Sequence, residues 1–135
     1  MTTKRLLGTA PAKINLVLEV TGMRQDGYHE IDTVLQTLEL ADDVIVELGV
    51  APGIRVAGPF APGTPADRSN LAWRAAELLA DRSGQTADDV VITLVKRIPA
   101  AGGLGGGASD AATVLRLLGR RWGASEETIA AVANE

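Results

Sequence analysis

Five glycines fall within the six residues from Gly102 to Gly107, and no other feature limits the fold of this chain as sharply. The run follows a short β-branched stretch, residues 90–96, that predicts a strand. It precedes residues 111–118, where Val114, Leu115 and Leu118 mark one side of a predicted helix. Glycine tolerates positive φ and lets backbone approach a ligand closely. A helix N-terminus offers unpaired N–H groups and a partial positive charge. A glycine-rich turn that leads into a helix is therefore suited to phosphate, and Ser109 could add a hydroxyl. A merely flexible or tight connection would need fewer glycines and no abutting helix. No Gly-Lys-Ser/Thr is present, which excludes a Walker-type P-loop. The segment Gly103-Leu104-Gly105-Gly106-Gly107-Ala108 does satisfy the dinucleotide pattern G-x-G-x-x-G/A. The preceding strands, however, read as antiparallel rather than as successive βαβ units. A protein-kinase glycine loop would join two strands, not a strand and a helix.

Residues 13–20 alternate, with Ile14, Leu16, Leu18 and Val20 on one face and Lys13, Asn15, Val17 and Glu19 on the other. A polar loop with the turn dipeptide Asp26-Gly27 separates this strand from a second one over residues 31–40. Asp42-Asp43 is expected to break that strand, and residues 44–48 to form a third, hairpinned against it. Residues 54–57 suit a short fourth strand, and three prolines make residues 58–65 an exposed loop. Asp67, Ser69 and Asn70 offer caps for a helix that carries Leu71, Ala75, Leu78 and Leu79 and stops at Ser83-Gly84. Gly119 and Gly123 bracket the end of the helix that follows the glycine run. Ser125, with Glu126 and Glu127 behind it, opens a last helix. That helix shows neither a glycine stop nor a basic last turn, so the chain is expected to be cut inside its domain; the plainer reading is a frayed terminus.

A length of 135 residues suits one domain, and 46% hydrophobic with 22% charged residues is a globular composition. With aromatics at 3%, Val, Leu, Ile and Ala have to fill the core. A net charge of -4 argues against a general nucleic-acid binder. The absence of cysteine excludes a disulfide scaffold, a zinc–thiolate site and a thiol nucleophile. A single histidine excludes a His-rich metal site. No apolar run nears the ~20 residues that span a bilayer, and residues 1–8 lack the apolar core of a signal peptide. The expectation is a cytoplasmic protein with neither membrane nor nucleic acid as partner.

The pattern Pro99-x-x-Gly102-Gly103-Leu104-Gly105-Gly106-Gly107-x-Ser109-Asp110-Ala111-Ala112 resembles the phosphate-binding motif of the GHMP small-molecule kinases. Four further motifs precede it: Ala10-Pro11-Ala12-Lys13-Ile14-Asn15-Leu16, Asp26-Gly27-Tyr28-His29-Glu30, Ser69-Asn70-Leu71 and Lys96-Arg97-Ile98-Pro99. Their order is that of the GHMP branch acting on a cytidine diphosphate-linked methylerythritol, on the non-mevalonate route to isoprenoids. One departure is Ala108, where the family often has serine. The resemblance implies an α+β fold, the GHMP kinase N-terminal domain, similar to the second domain of ribosomal protein S5. Residues 1–135 would form that ATP-binding domain, incomplete at its C-terminal end, without the family's catalytic aspartate and C-terminal domain.

The activity implied is ATP-dependent phosphorylation of the substrate's 2-hydroxyl. ATP would lie on Pro99, Ala100, Ala101, Gly102, Gly103, Leu104, Gly105, Gly106, Gly107, Ala108 and Ser109, with Asn70, Leu71 and Lys96 around the adenine. Lys13 would be the catalytic cation, Asn15 a substrate ligand, Tyr28 a stacking platform for cytosine and His29 a donor or acceptor at its edge. Magnesium is expected with ATP, with no carboxylate assigned to it. Plainer readings stand beside these: a solvated lysine, an exposed aromatic pair in a turn, a helix cap with a core leucine. Trp73 and Trp122 read as packing, and Arg120-Arg121 as a basic last turn. Two rival functions are another GHMP enzyme, such as a homoserine or mevalonate kinase, and a non-catalytic nucleotide-binding fragment. Asp26-Gly27-Tyr28-His29 argues against the first.

Overall fold

Two strands of 20 residues each, β1 (Lys4–Met23) and β2 (His29–Leu48), pair antiparallel along their length. The computed structural model describes residues 4–23, 29–99 and 103–134, with side chains for 4–14, 36–99 and 103–134. After β2 come β3 (Gly53–Ala57), α1 (Leu71–Ser83), β4 (Val90–Val95), α2 (Gly106–Trp122) and α3 (Glu126–Ala133). The sheet order is β1-β2-β4-β3. β4 runs antiparallel to β2 and parallel to β3, so β3, α1 and β4 form one βαβ crossover at the edge of an otherwise antiparallel sheet. The fold is α+β, as expected.

The second half of β2 lies between β1 and β4, and its alternate residues Asp42, Val44, Val46 and Leu48 are buried. Val90, Ile92 and Leu94 of β4 join them, and α1 and α2 cover this face with Ala72, Trp73, Ala76, Leu79, Val114 and Leu118. Small aliphatic side chains do fill the core, with Trp73 as its one large aromatic among the described residues. α2 lies close over β1: a Cβ added at Gly8 would stand 2.8 Å from Thr113 Cγ2.

Three expectations are corrected. The first strand is longer than residues 13–20, because the whole of β1 has β2 as a partner. The expected second and third strands are one. Asp42-Asp43 does not break it, because Asp42 falls on the inward face and meets a buried lysine there. The register slips instead between Pro11 and Lys13, where β2 carries extra residues between Ala41 and Thr37. Third, α2 starts at Gly106, inside the glycine run, and passes through Gly119 to a left-handed cap at Gly123. Gly119 is an interior contact: a Cβ there would come 2.5 Å from Ile129 Cδ1 of α3.

Candidate functional site

The N-terminus of α2 is open. Its cap is Gly105, in the left-handed region at φ 70°, and it has no side chain to bond the first-turn N–H groups. The first N–H to close an intrahelical bond there belongs to Ser109, donating to the Gly105 carbonyl at 2.9 Å. The N–H groups of Gly106, Gly107 and Ala108 precede it, in the turn whose donors have no acceptor within a helix. Glycine is required at 105 on two grounds. The backbone is left-handed, and a Cβ would strike Lys13 Cε at 2.7 Å. Lys13 is thus drawn to the loop, with Nζ 3.3 Å from that same point. Its backbone N–H, freed where β1 and β2 change register, donates to the Leu104 carbonyl at 2.9 Å.

Beside this terminus is a cleft of about 180 Å³, lined by Asn70, Leu71, Lys96, Gly106, Gly107 and Asp110 together with the loop at residues 63–65. Asn70 caps α1: its Oδ1 accepts the Ala72 N–H at 2.9 Å, and its Nδ2 donates to the Pro65 carbonyl at 2.8 Å. This turns Leu71 outward, 53% exposed, as an apolar wall rather than a core residue. A Cβ on Gly107 would lie 3.7 Å from Leu71 Cδ1, in ordinary contact across the cleft.

The floor is a buried ionic cluster. Lys96 Nζ donates to Asp42 Oδ2 at 2.5 Å and to Asp110 Oδ2 at 2.7 Å. Asp42 Oδ1 accepts the N–H groups of Arg97 at 2.7 Å and Ile98 at 3.0 Å. Burial raises the Asp42 pKa, but the neighbouring Asp110 carboxyl, then Lys96 and the two backbone N–H groups, outweigh it and hold the carboxyl below its ordinary value. Burial likewise lowers Lys96, and its two carboxylates outweigh that and raise it. Asp110 goes the other way. Burial first, then the neighbouring Asp42, push it up to about 7 against the opposing pull of Lys96. Its Oδ1 is buried with no hydrogen-bond partner among the described residues.

Of the expected site residues, Asn70, Leu71, Lys96, Gly106 and Gly107 meet in the cleft, and Lys13, Leu104 and Gly105 meet beside it. Gly103 is exposed and left-handed at φ 66°, and Pro99 is half-buried. Ala108 faces a separate apolar groove shared with α1 and α3. Ala100, Ala101, Gly102 and Tyr28 lie outside the described residues. Asn15 and His29 are placed in the β1–β2 ladder opposite Leu35 and Met23, and their side chains lie outside the description. Arg97 pairs at the surface with Asp43 through its side chain, and its N–H donates to Asp42.

Asp42 and Asp110 were missed as site residues. Both leave a trace in the sequence. Asp42 keeps the two-residue phase of Val44, Val46 and Leu48, and Asp110 keeps the four-residue spacing of Val114 and Leu118. A charge in phase with a core face signals a buried partner.

The arrangement offers helix N–H donors and a lysine to an anion, with an apolar wall for a flat, uncharged group. Residues 70–135 match the family model of the GHMP kinases N terminal domain. The chain is 46% identical over 114 residues to 4-diphosphocytidyl-2-C-methyl-D-erythritol kinase of Saccharopolyspora erythraea, covering 83% of this chain and 36% of that one. It superposes on the crystal structure of 4-(cytidine 5'-diphospho)-2C-methyl-D-erythritol kinase with a TM-score of 0.75 at 44% identity, over 96% of this chain and 45% of the other. Homoserine kinase from Cytophaga hutchinsonii shares the fold, with a TM-score of 0.66 at 18% identity, over 97% and 39% of the two chains. The chain spans less than half the length of these proteins.

Proposed function

The chain belongs to the GHMP kinase family, and we propose that it binds ATP as part of a kinase for 4-diphosphocytidyl-2-C-methyl-D-erythritol. The observation that carries this reading is the uncapped N-terminus of α2 beside Lys13, at the mouth of a cleft walled by Leu71. ATP's phosphates would accept from the first-turn N–H groups of α2, and its adenine would lie against Leu71 near Asn70 and Lys96. In the transfer, the acceptor's 2-hydroxyl oxygen bonds to the γ-phosphorus as the bond to the β–γ bridging oxygen breaks, and ADP departs. Lys13 would stabilise charge on the moving phosphoryl oxygens. The base that takes the hydroxyl proton is not assigned within residues 1–135. Among the described residues no group of three or more His, Cys, Asp or Glu could hold a metal ion. Magnesium is expected to accompany ATP, and no residue of this chain is assigned to it.

Substrate choice is assigned to Tyr28 and His29, which would stack on cytosine and bond its edge. The 45–46% identity to kinases named for the cytidine-linked substrate supports this. Calorimetric titration with ATP and with the cytidine-linked substrate tests both parts. Each is expected to bind. His29→Ala should weaken the cytidine ligand roughly ten- to a hundred-fold, the scale of one lost buried hydrogen bond, and leave ATP unchanged. A chain that binds no ATP would overturn the reading, and equal losses for both ligands would overturn the role of His29.

A further inference from the structure

We propose that Asp42 is a positioning residue for the nucleotide: by clamping the end of β4, it sets where the first turn of α2 presents its N–H groups. The inference rests on the nucleotide reading above. Asp42 is fully buried and does not line the cleft, so it acts through other residues. Its Oδ1 accepts from the backbone of Arg97 and Ile98, and its Oδ2 from Lys96. Those three residues are where the chain leaves β4 for the glycine run. Ile98 is also fully buried and supports the start of α2. A Cβ on Gly106 would lie 3.1 Å from Ile98 Cγ2 and 3.3 Å from Lys96 Nζ. Lys96 then continues to Asp110, in the first turns of α2. One carboxylate on β2 thus ties the entry of the phosphate loop to its exit. Packing alone does not account for it. An apolar residue would continue the face of Val44, Val46 and Leu48 without the cost of burying charge.

The test compares the chain with its Asp42→Asn variant, titrated by NMR with a non-hydrolysable ATP analogue and with adenosine. Asparagine has the shape of aspartate and can still accept from Arg97 and Ile98, but its amide would face the Lys96 ammonium. The expected result is a roughly tenfold weaker affinity for the analogue, the scale of one charge-assisted hydrogen bond, with adenosine weakened much less. Unchanged affinity for the analogue overturns the inference, and so does a parallel loss for both ligands, which marks a merely structural role. Failure of the unsubstituted chain to bind the analogue overturns the nucleotide reading and this inference with it. A second measurement needs no variant. Coupling is reciprocal, so the analogue should slow amide hydrogen exchange at Arg97 and Ile98 by roughly tenfold, and adenosine should not. Exchange at those two amides that ignores the analogue overturns the inference even if Asp42→Asn fails to fold.

Discussion

Lys96 carries one positive charge and meets two buried carboxylates, and that imbalance governs the chemistry of the floor. Asp42 has the better claim, with two backbone donors besides the ammonium, so the proton stays on Asp110. The consequence for stability has a definite sign. Asp110 in the folded chain titrates near 7, above its ordinary 3.8, so the folded state holds a proton that the unfolded state has lost between those values. Stability from this group is full below pH 3.8 and declines as pH rises toward about 7. Asp42, with its lowered pKa, acts in the opposite sense and at lower pH: its contribution is lost as pH falls through its folded value. Asp110→Asn should therefore flatten the fall in denaturation midpoint between pH 3.8 and about 7. Identical pH slopes for variant and unsubstituted chain would show that Asp110 is ionised throughout. None of this was legible at residues 42 and 43, where two adjacent aspartates read as a strand break. The partner that reverses the reading is 54 residues away.

Element boundaries were legible where a local hydrogen bond makes them. Asn70 and Ser125 cap α1 and α3 through their side chains, and Gly84 and Gly123 close α1 and α2 in the left-handed region. The Asn70 cap has a testable magnitude. Asn70→Ala removes the acceptor for Ala72 and the donor to Pro65, and should cost about 1 kcal/mol or somewhat more. Asn70→Ser keeps the cap alone and should recover most of that loss. Denaturant unfolding of the two variants checks it; equal losses would show that the Pro65 contact dominates. The start of α2 was not legible, because glycine disfavours a helix interior by about 1 kcal/mol relative to alanine. At Gly106 a side chain would crowd Ile98 and Lys96, 3.1 and 3.3 Å from its Cβ, whereas Gly107 has ordinary room beside Leu71. β2 was split for a related reason: a strand tolerates Asp42 only once β4 has brought Lys96 alongside.

At the scale of the whole molecule, the site depends on how closely α2 lies over the sheet. Gly8 sets that spacing, with Thr113 Cγ2 and Leu117 Cδ1 at 2.8 and 3.3 Å from where its Cβ would be. Gly8→Val should push α2 off β1, costing about 1–3 kcal/mol, the usual penalty for overpacking. It should also weaken the triphosphate analogue more than adenosine, since the N-terminus of α2 moves with the helix. A urea midpoint within error of the unsubstituted chain would show that the layers are not in contact there. The α+β class and the motifs that hold Lys13, Asn70 and Lys96 were legible through the resemblance to the GHMP kinases; local rules were enough for the helix caps and the glycine-rich strand-to-helix junction. The caps and the junction arise from neighbours a few residues apart, where backbone hydrogen bonds and turn geometry act. The parallel pairing of β3 with β4, the unbroken β2 and the Asp42–Lys96–Asp110 cluster came only with the packed layers. Each sets a burial or a charge pairing between segments far apart in sequence, and a buried charge is stable only beside the partner that the fold brings to it.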